Sequence, residues 1–505
     1  MDRDKWRLVS IVAILTWILV GIYGVIFNIS YIDEAKYLIK GWLIATGQIE
    51  YYSTPNFFYQ HMPGGLLWFG LGQKLLGKSL LLGRIQSWLI GLMILFLSFK
   101  LGKKLGGVKT GIAALMLLSL MPVVILYYSS AVPRSLSVVM LLLGILSLTD
   151  KKYRWSSLWF SLSLVIRENF LFTLLIYLVW LFFILRKNWL EWLKNLLVVV
   201  IVLGIFFLPG FPEILNIFKN FPGISTLLPI NQLEQSVLKL YWQKSRHDIN
   251  LYIETVKYFG VIYFSWLVVA IFGIIKFIKQ PVKLKKTQAY WFLIGVTGFN
   301  FLAHAWSAFN LSPKAIIGYM AYIGPLLCVS VAVLIGPKLK IRWIKTYILL
   351  LMIALIGMRF AAIFTPPNKQ TDLSKINQSA KRLKPIVKEN EKIVWLTEPI
   401  SLYLADKISY YPLINHTNSY KPSLDTNTVR SLGFWNQEMM SQWLSEADLV
   451  VLDENRLRGL RQTELTKPVV KTITEYMDKN YDLLVINDYI WPGELSFFKP
   501  KMRLN

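Results

Sequence analysis

The chain has 505 residues, of which 55% are apolar and only 17% charged. A soluble multidomain protein carries about a quarter charged residues, and a disulfide scaffold needs more than the single Cys328. Neither class fits, and the apolar content excludes disorder. The 19 Trp, 25 Tyr and 29 Phe suit aromatic belts at the two faces of a bilayer. The net charge of +26 is distributed as short basic clusters between long apolar runs, such as Lys100/Lys103/Lys104/Lys109 and Lys338/Lys340/Arg342/Lys345. The alternate connections hold few cations, mainly Arg134, Arg167 and Lys314. This is the positive-inside pattern of a polytopic membrane protein, and it accounts for the charge without nucleic acid.

In chain order, eleven segments are long or apolar enough to be read as membrane helices: 8–27, 80–98, 110–127, 134–149, 155–166, 168–185, 195–209, 256–275, 289–303, 315–335 and 343–364. The first lacks a small-residue cleavage site and is expected to stay as a helix. With the basic clusters inside, the N-terminus is cytoplasmic and the C-terminus outside. Residues 1–365 are thus expected to form the membrane domain, with a large first outer loop at 28–79. That loop holds two amphipathic stretches, 33–47 and 63–77, expected as helices in the interface plane. A second outer segment covers about 210–255. From Thr365-Pro366-Pro367 the composition turns polar. Within 366–505, KIVWL, DLVVLD and YDLLVIND read as buried strands of an extracytoplasmic α/β domain.

Two motifs are set aside. Gly72–Ser79 fits the phosphate-loop pattern GxxxxGK[ST], and the distant LVVLDE, which ends at Asp453-Glu454, resembles a Mg²⁺-binding companion. A phosphate loop needs a strand before it and a helix after it, whereas a Trp- and Leu-rich helical pattern precedes this one. Metal chemistry is not indicated either. His61, His247, His304 and His416 are widely separated, and the one D-x-D triplet, Asp2-Arg3-Asp4, lies at the cytoplasmic end. Cys328 reads as a buried apolar residue. The four N-x-[ST] triplets, at Asn28, Asn310, Asn377 and Asn415, identify no cell type.

Asp33 and Glu34 are adjacent acids just beyond the first membrane helix. Alone, they read as first-turn charges of a helix. Arg84, Arg134, Arg167 and His61 lie at outer ends of helices, against the positive-inside bias, and ionisable groups at that depth are functional candidates. A base beside a group of cations suits the transfer of a group from a lipid phosphate. Two other functions place such charges similarly: a transporter or flippase for a lipid-linked substrate, and a scaffold with a degenerate site.

These residues fall in segments that resemble the polyprenyl-phosphate-sugar-dependent glycosyltransferases of the GT-C fold (glycosyltransferase family 39-like), which include protein O-mannosyltransferases and lipid A aminoarabinose transferases. The pieces are IDEAKY, GQIEYY, YQHMPGGLLWFGLGQKLLG and GRIQSWLIGL, then LYYSSAVPRSLSVVMLLLGILSL and LSLVIRENFLF. The resemblance covers about residues 8–185, with the remaining helices alike only in layout, and TEPISLYLADKISYYPL resembles the family's extracytoplasmic domain. The resemblance implies an α-helical polytopic GT-C protein of about eleven membrane helices in the cell membrane. It implies a polyprenyl-phosphate sugar as donor substrate and a glycan, lipid or protein as acceptor, with no tightly bound cofactor. Asp33 falls on the family's catalytic acid and Glu34 on its neighbour. His61 and Arg167 match basic residues at the donor phosphate, with Arg134 and Arg84 as further candidates. At Arg134-Ser135 many relatives carry a second acid. Its loss leaves the acceptor and any divalent metal open, and Asp33 as the main base.

Overall fold

The computed structural model describes residues 2–28, 32–50, 52, 62–212, 214–215, 249–279, 287–311, 315–341, 343–364, 373–388, 391–397, 399–407, 425–431, 435–453, 457–458, 467–484 and 495–501. The chain forms two compact units. The first comprises Met1–Ile26, Met62–Gly65 and Arg84–Pro366; the second comprises Phe27–His61, Leu66–Gly83 and Pro367–Asn505.

The first unit is helical. Its helices are α1 (Asp2–Phe27), then, after the loop helices α2 to α4 given below, α5 (Leu80–Gly106), α6 (Val108–Ser119), α7 (Pro122–Tyr128), α8 (Arg134–Thr149) and α9 (Tyr153–Ile166). They continue as α10 (Leu171–Leu185), α11 (Trp189–Phe207), α12 (Ile249–Lys279), α13 (Thr287–Leu311), α14 (Ala315–Ile335) and α15 (Trp343–Phe364). Every segment read from hydropathy is helical. Among the described residues, six helices are long and apolar enough to cross a bilayer by length and composition, or seven if one bent pair is a single span. The chain is a helical polytopic membrane protein.

The bent pair corrects one expectation. Segment 110–127 is two helices, α6 and α7, meeting at 79°. Pro122 has no backbone N–H to continue the ladder of α6, and it starts α7 at the position where that lack costs nothing. Close packing between α8 and α9 follows from small residues, as it does where lipid supplies no hydrophobic drive. The Phe160 ring lies against Gly144, and the Ser156 hydroxyl donates to the Gly144 carbonyl at 2.8 Å. Of the membrane-spanning helices α14 is the most enclosed: 78% of its apolar window is buried, against 28% for α10 and α11. Most residues of α6 and α8 are buried as well.

In the second unit, the first loop supplies α2 (Ile32–Ala35), a π-helical turn (Lys36–Lys40), α3 (Gly41–Ala45) and the latter part of α4 (Pro63–Leu76). A two-faced helix would leave one side exposed, yet every residue from Lys36 to Gly41 is buried. Two glycines permit the approach that buries them. A Cβ on Gly70 of α4 would collide with the carbonyl of Gly41, so the two backbones touch.

The remainder of this unit is α/β. Helices α16 (Leu373–Ile386), α17 (Ile400–Leu404), α18 (Thr426–Ser431), α19 (Gln437–Glu446) and α20 (Lys467–Asn480) accompany four strands. Strands β1 (Ile393–Leu396), β2 (Leu449–Asp453), β3 (Tyr481–Leu484) and β4 (Leu495–Pro500) are ordered β1-β2-β4-β3. β1 and β2 are parallel, and β4 runs antiparallel to both its neighbours. β1 and β2 are buried as expected. β3 is not: it is an edge strand with Asp482 and Leu483 exposed. β4 inserts between β2 and β3, and its sequence LSFFKP lacks the alternation that would announce a strand.

Candidate functional site

The sequence LVIRENF places the first piece of the site. α9 ends at Ile166, and Arg167 takes an extended conformation (φ −148°, ψ 127°) before a single 3-10 turn, Glu168–Phe170, leads into α10. This break turns three consecutive polar side chains, Arg167, Glu168 and Asn169, away from the regular helix surface. Arg167 Nη2 lies 3.9 Å from Glu168 Oε1, and its guanidinium lies 5.6 Å from the ring centroid of Tyr322 on α14.

Tyr322 is enclosed from several directions. The His304 ring of α13 stacks on it with centroids 5.7 Å apart, and Phe170 meets it edge-on at 6.0 Å. His304 is itself fixed at both ring nitrogens. Nδ1 lies 2.7 Å from the Asn300 carbonyl oxygen and Nε2 lies 3.0 Å from Asn169 Nδ2. A carbonyl only accepts, so Nδ1 carries the proton and Nε2 accepts from the amide. Asn300 continues the chain of bonds to Thr173 of α10.

Arg134 approaches the same helix. The turn at Val132-Pro133 makes it the first residue of α8, and its guanidinium lies 5.0 Å from the Tyr127 ring centroid. The Tyr127 ring borders Gly318 of α14, where a Cβ would sit 3.5 Å from Cζ. The neighbouring Tyr128 hydroxyl donates to the Ala321 carbonyl. Gly318 and Tyr322 are one helical turn apart. Arg134 is thus linked to α14 through the Tyr127 ring at Gly318, one turn from the Tyr322 ring that Arg167 faces.

Arg84 is fully buried, and its Nη1 donates to the Val25 carbonyl at 3.1 Å. There it serves the C-terminal end of α1, where a cation is favoured. One turn on, the Ser87 hydroxyl donates to the Val132 carbonyl at 3.3 Å, just before Arg134. His61 lies outside the described residues.

Asp33 and Glu34 occupy the first turn of α2 in the second unit. Asp33 is 40% exposed and its Oδ1 pairs with Lys36 Nζ at 3.2 Å, whereas Glu34 is fully buried. Lys40, at the end of the π-helical turn, is 3% exposed, and burial lowers its pKa to about 8. Among the described residues no group of three or more His, Cys, Asp or Glu is arranged to hold a metal ion.

The phosphate-loop pattern at Gly72–Ser79 is a helix end. Gln73 holds both backbone groups of Ser79, accepting from its N–H at 2.6 Å and donating to its carbonyl at 3.0 Å. Lys78 is used in an ion pair with Asp406 at 3.3 Å and sits 3.9 Å over the Trp42 ring.

No family model and no curated protein matches the sequence. Among solved structures, the chain is similar to the apo oligosaccharyltransferase of Archaeoglobus fulgidus. The TM-score is 0.53 at 10% identity, covering 92% of this chain and 72% of that one. The chain has the GT-C fold. ArnT from Cupriavidus metallidurans, in a structure bound to undecaprenyl phosphate, aligns over 97% of both chains with TM-score 0.45 and 12% identity.

Arg134 and Arg167 are legible in the sequence as outer-end cations, whereas Glu168, His304 and Tyr322 are not singled out by it. Glu168 was visible beside Arg167. His304 lacks metal-ligand spacing to the other histidines, and nothing local in the sequence joins it to Asn169.

Proposed function

We propose that this GT-C protein is a membrane glycosyltransferase. It moves a sugar from a polyprenyl-phosphate donor to a glycan, lipid or protein hydroxyl at the extracytoplasmic face of the cell membrane. What supports this function is the pair Arg134 and Arg167, each beside a tyrosine ring; the two rings, Tyr127 and Tyr322, lie at consecutive turns of the enclosed helix α14. Ionisable groups placed at membrane depth are functional candidates, and guanidinium groups suit an anion. A lipid phosphate is an anion that reaches them from the bilayer.

In the proposed reaction Asp33 accepts the acceptor hydroxyl's proton as that oxygen bonds to the anomeric carbon. The bond from the anomeric carbon to the phosphate oxygen breaks, and its electron pair leaves with the lipid phosphate. Arg167, Arg134 and His61 stabilise the charge that develops there. Direct displacement inverts the anomeric centre. Glu34, its buried neighbour in the same turn, positions it.

The decisive variant is Asp33→Asn, which keeps shape and helix-capping ability but cannot take a proton. Transfer from a polyprenyl-phosphate sugar by the purified protein is expected to fall about 10²–10⁴-fold, with donor binding retained. Near-normal transfer removes Asp33 from the mechanism. Glu34→Gln is expected to be milder.

A further inference from the structure

Tyr322 is 2% exposed, and its hydroxyl has no hydrogen-bond partner among the described residues. Glu168 Oε2 is likewise buried and without one. Both belong to the cluster around Arg167: the other oxygen of Glu168 faces Arg167 at 3.9 Å, and the Tyr322 ring lies 5.6 Å from its guanidinium. Native proteins rarely leave buried polar atoms unsatisfied, because each then carries its full desolvation cost. Two such atoms in one cluster point to a ligand.

Their chemistry restricts what that ligand is. A carboxylate oxygen accepts hydrogen bonds and repels a phosphate, so it needs a hydroxyl donor. A phenol hydroxyl both donates and accepts. Arg167 beside them suits an anion. Hydroxyls adjacent to an anion describe a glycosyl phosphate. The rings of Tyr319, Tyr322 and His304 meet there, His304 stacked on Tyr322 and edge-on to Tyr319, and aromatic rings suit the C–H face of a sugar ring.

We propose that Glu168 and Tyr322 form the subsite for the sugar of the donor: Glu168 Oε2 accepts a sugar hydroxyl and the Tyr322 hydroxyl bonds a second sugar oxygen. This rests on the glycosyltransferase assignment above and adds to it the residues that tell a glycosylated lipid from a bare one.

The test compares the intact protein's affinity for undecaprenyl phosphate with that for undecaprenyl-phosphate sugars carrying glucose, mannose, galactose or arabinose. Wild type is expected to bind the best of these about 10-fold or more tighter than the bare lipid, the range of one hydrogen bond to a charged group. Glu168→Gln and Tyr322→Phe, both close in shape to the native residues, are each expected to lose about 10-fold for the sugar lipid. For bare undecaprenyl phosphate, Tyr322→Phe keeps the ring beside Arg167 and should stay within about 2-fold, and Glu168→Gln, which removes a negative charge beside Arg167, should cause no loss. Arg167→Lys serves as the comparison and should weaken both lipids. Equal losses for both lipids in Glu168→Gln and Tyr322→Phe, or no loss, overturn the subsite. So does equal binding of both lipids by wild type, which leaves the glycosyltransferase assignment standing. Failure of wild type to bind either lipid overturns both.

Discussion

Asn169 donates to His304 across 3.0 Å of space and 135 residues of sequence. The bond ties the turn that carries Arg167 and Glu168 to α13, and His304 in turn backs the Tyr322 ring. Contacts therefore close a loop from Arg167 through Tyr322, His304 and Asn169 back to Arg167. A guanidinium held this way keeps its place when a ligand arrives, which is the condition for prearranged charge stabilisation.

His304→Ala should open that loop. It removes a ring packed between Tyr319 and Tyr322 and leaves the Asn169 amide unsatisfied, at a cost of about 2–4 kcal/mol. Thermal unfolding in detergent should report the loss. In transfer assays the donor KM should rise more than kcat falls, because His304 positions the turn and touches no reacting atom. A change in kcat alone would contradict this role.

Lys40 gives a pH dependence of unusual sign. Burial lowers its folded pKa from 10.5 to about 8. Between these values the unfolded chain holds a proton that the folded chain has lost, so stability rises as pH increases from about 8 towards 10.5. The difference amounts to about 3 kcal/mol of destabilisation at neutral pH. Lys40→Met should be more stable than wild type at pH 7, and the gap between the two in denaturant titrations should close at alkaline pH.

Asp406 behaves in the opposite way. Partial burial opposes its ionisation, but hydrogen bonds and charge from Lys384 and Lys78 prevail and lower its pKa. Its contribution is present above its ordinary pKa and fades as pH falls through the lowered one. Because its side chain is 56% exposed, solvent screening limits Asp406→Asn to about 0.5–1 kcal/mol. Asn tolerates the left-handed backbone at this position (φ 63°), so the substitution isolates the charge. Chemical denaturation should show the wild-type advantage shrinking below about pH 4.

Gly70→Ala should be severe for its size. The added Cβ meets the Gly41 carbonyl, and two helix backbones have no flexible side chain with which to yield. Overpacking of this kind costs about 1–3 kcal/mol, and here the upper end is expected. Gly77→Ala is a useful contrast, since no atom lies within 4 Å of its Cβ position and only its backbone (φ 92°) resists. A larger loss of melting temperature for Gly77→Ala than for Gly70→Ala would contradict the close approach.

The sequence by itself determined where the helices lie, because an apolar run of membrane length has few other ways to satisfy its backbone in lipid. It also determined that Arg134 and Arg167 stand at helix ends, since charge is costly elsewhere along such runs. Hydropathy could not register the break at Pro122, because α6 and α7 are equally apolar. The edge position of β3 depends on β4 pairing with it, a long-range choice that local alternation does not encode. Only the tertiary structure decided which side chains share a site. Tyr322 and His304 read locally as ordinary members of apolar helices, and they meet the Arg167 turn because helix packing brings α13 against α10 and α14 against α13. Gln73, Lys78 and Ser79 show the converse. Their spacing imitates a phosphate loop, but packing against Trp42, Tyr403 and Asp406 commits them to holding a helix end. Spacing along a chain constrains neighbours within a few turns, whereas a site gathered from four helices is set by the burial and close packing of all of them.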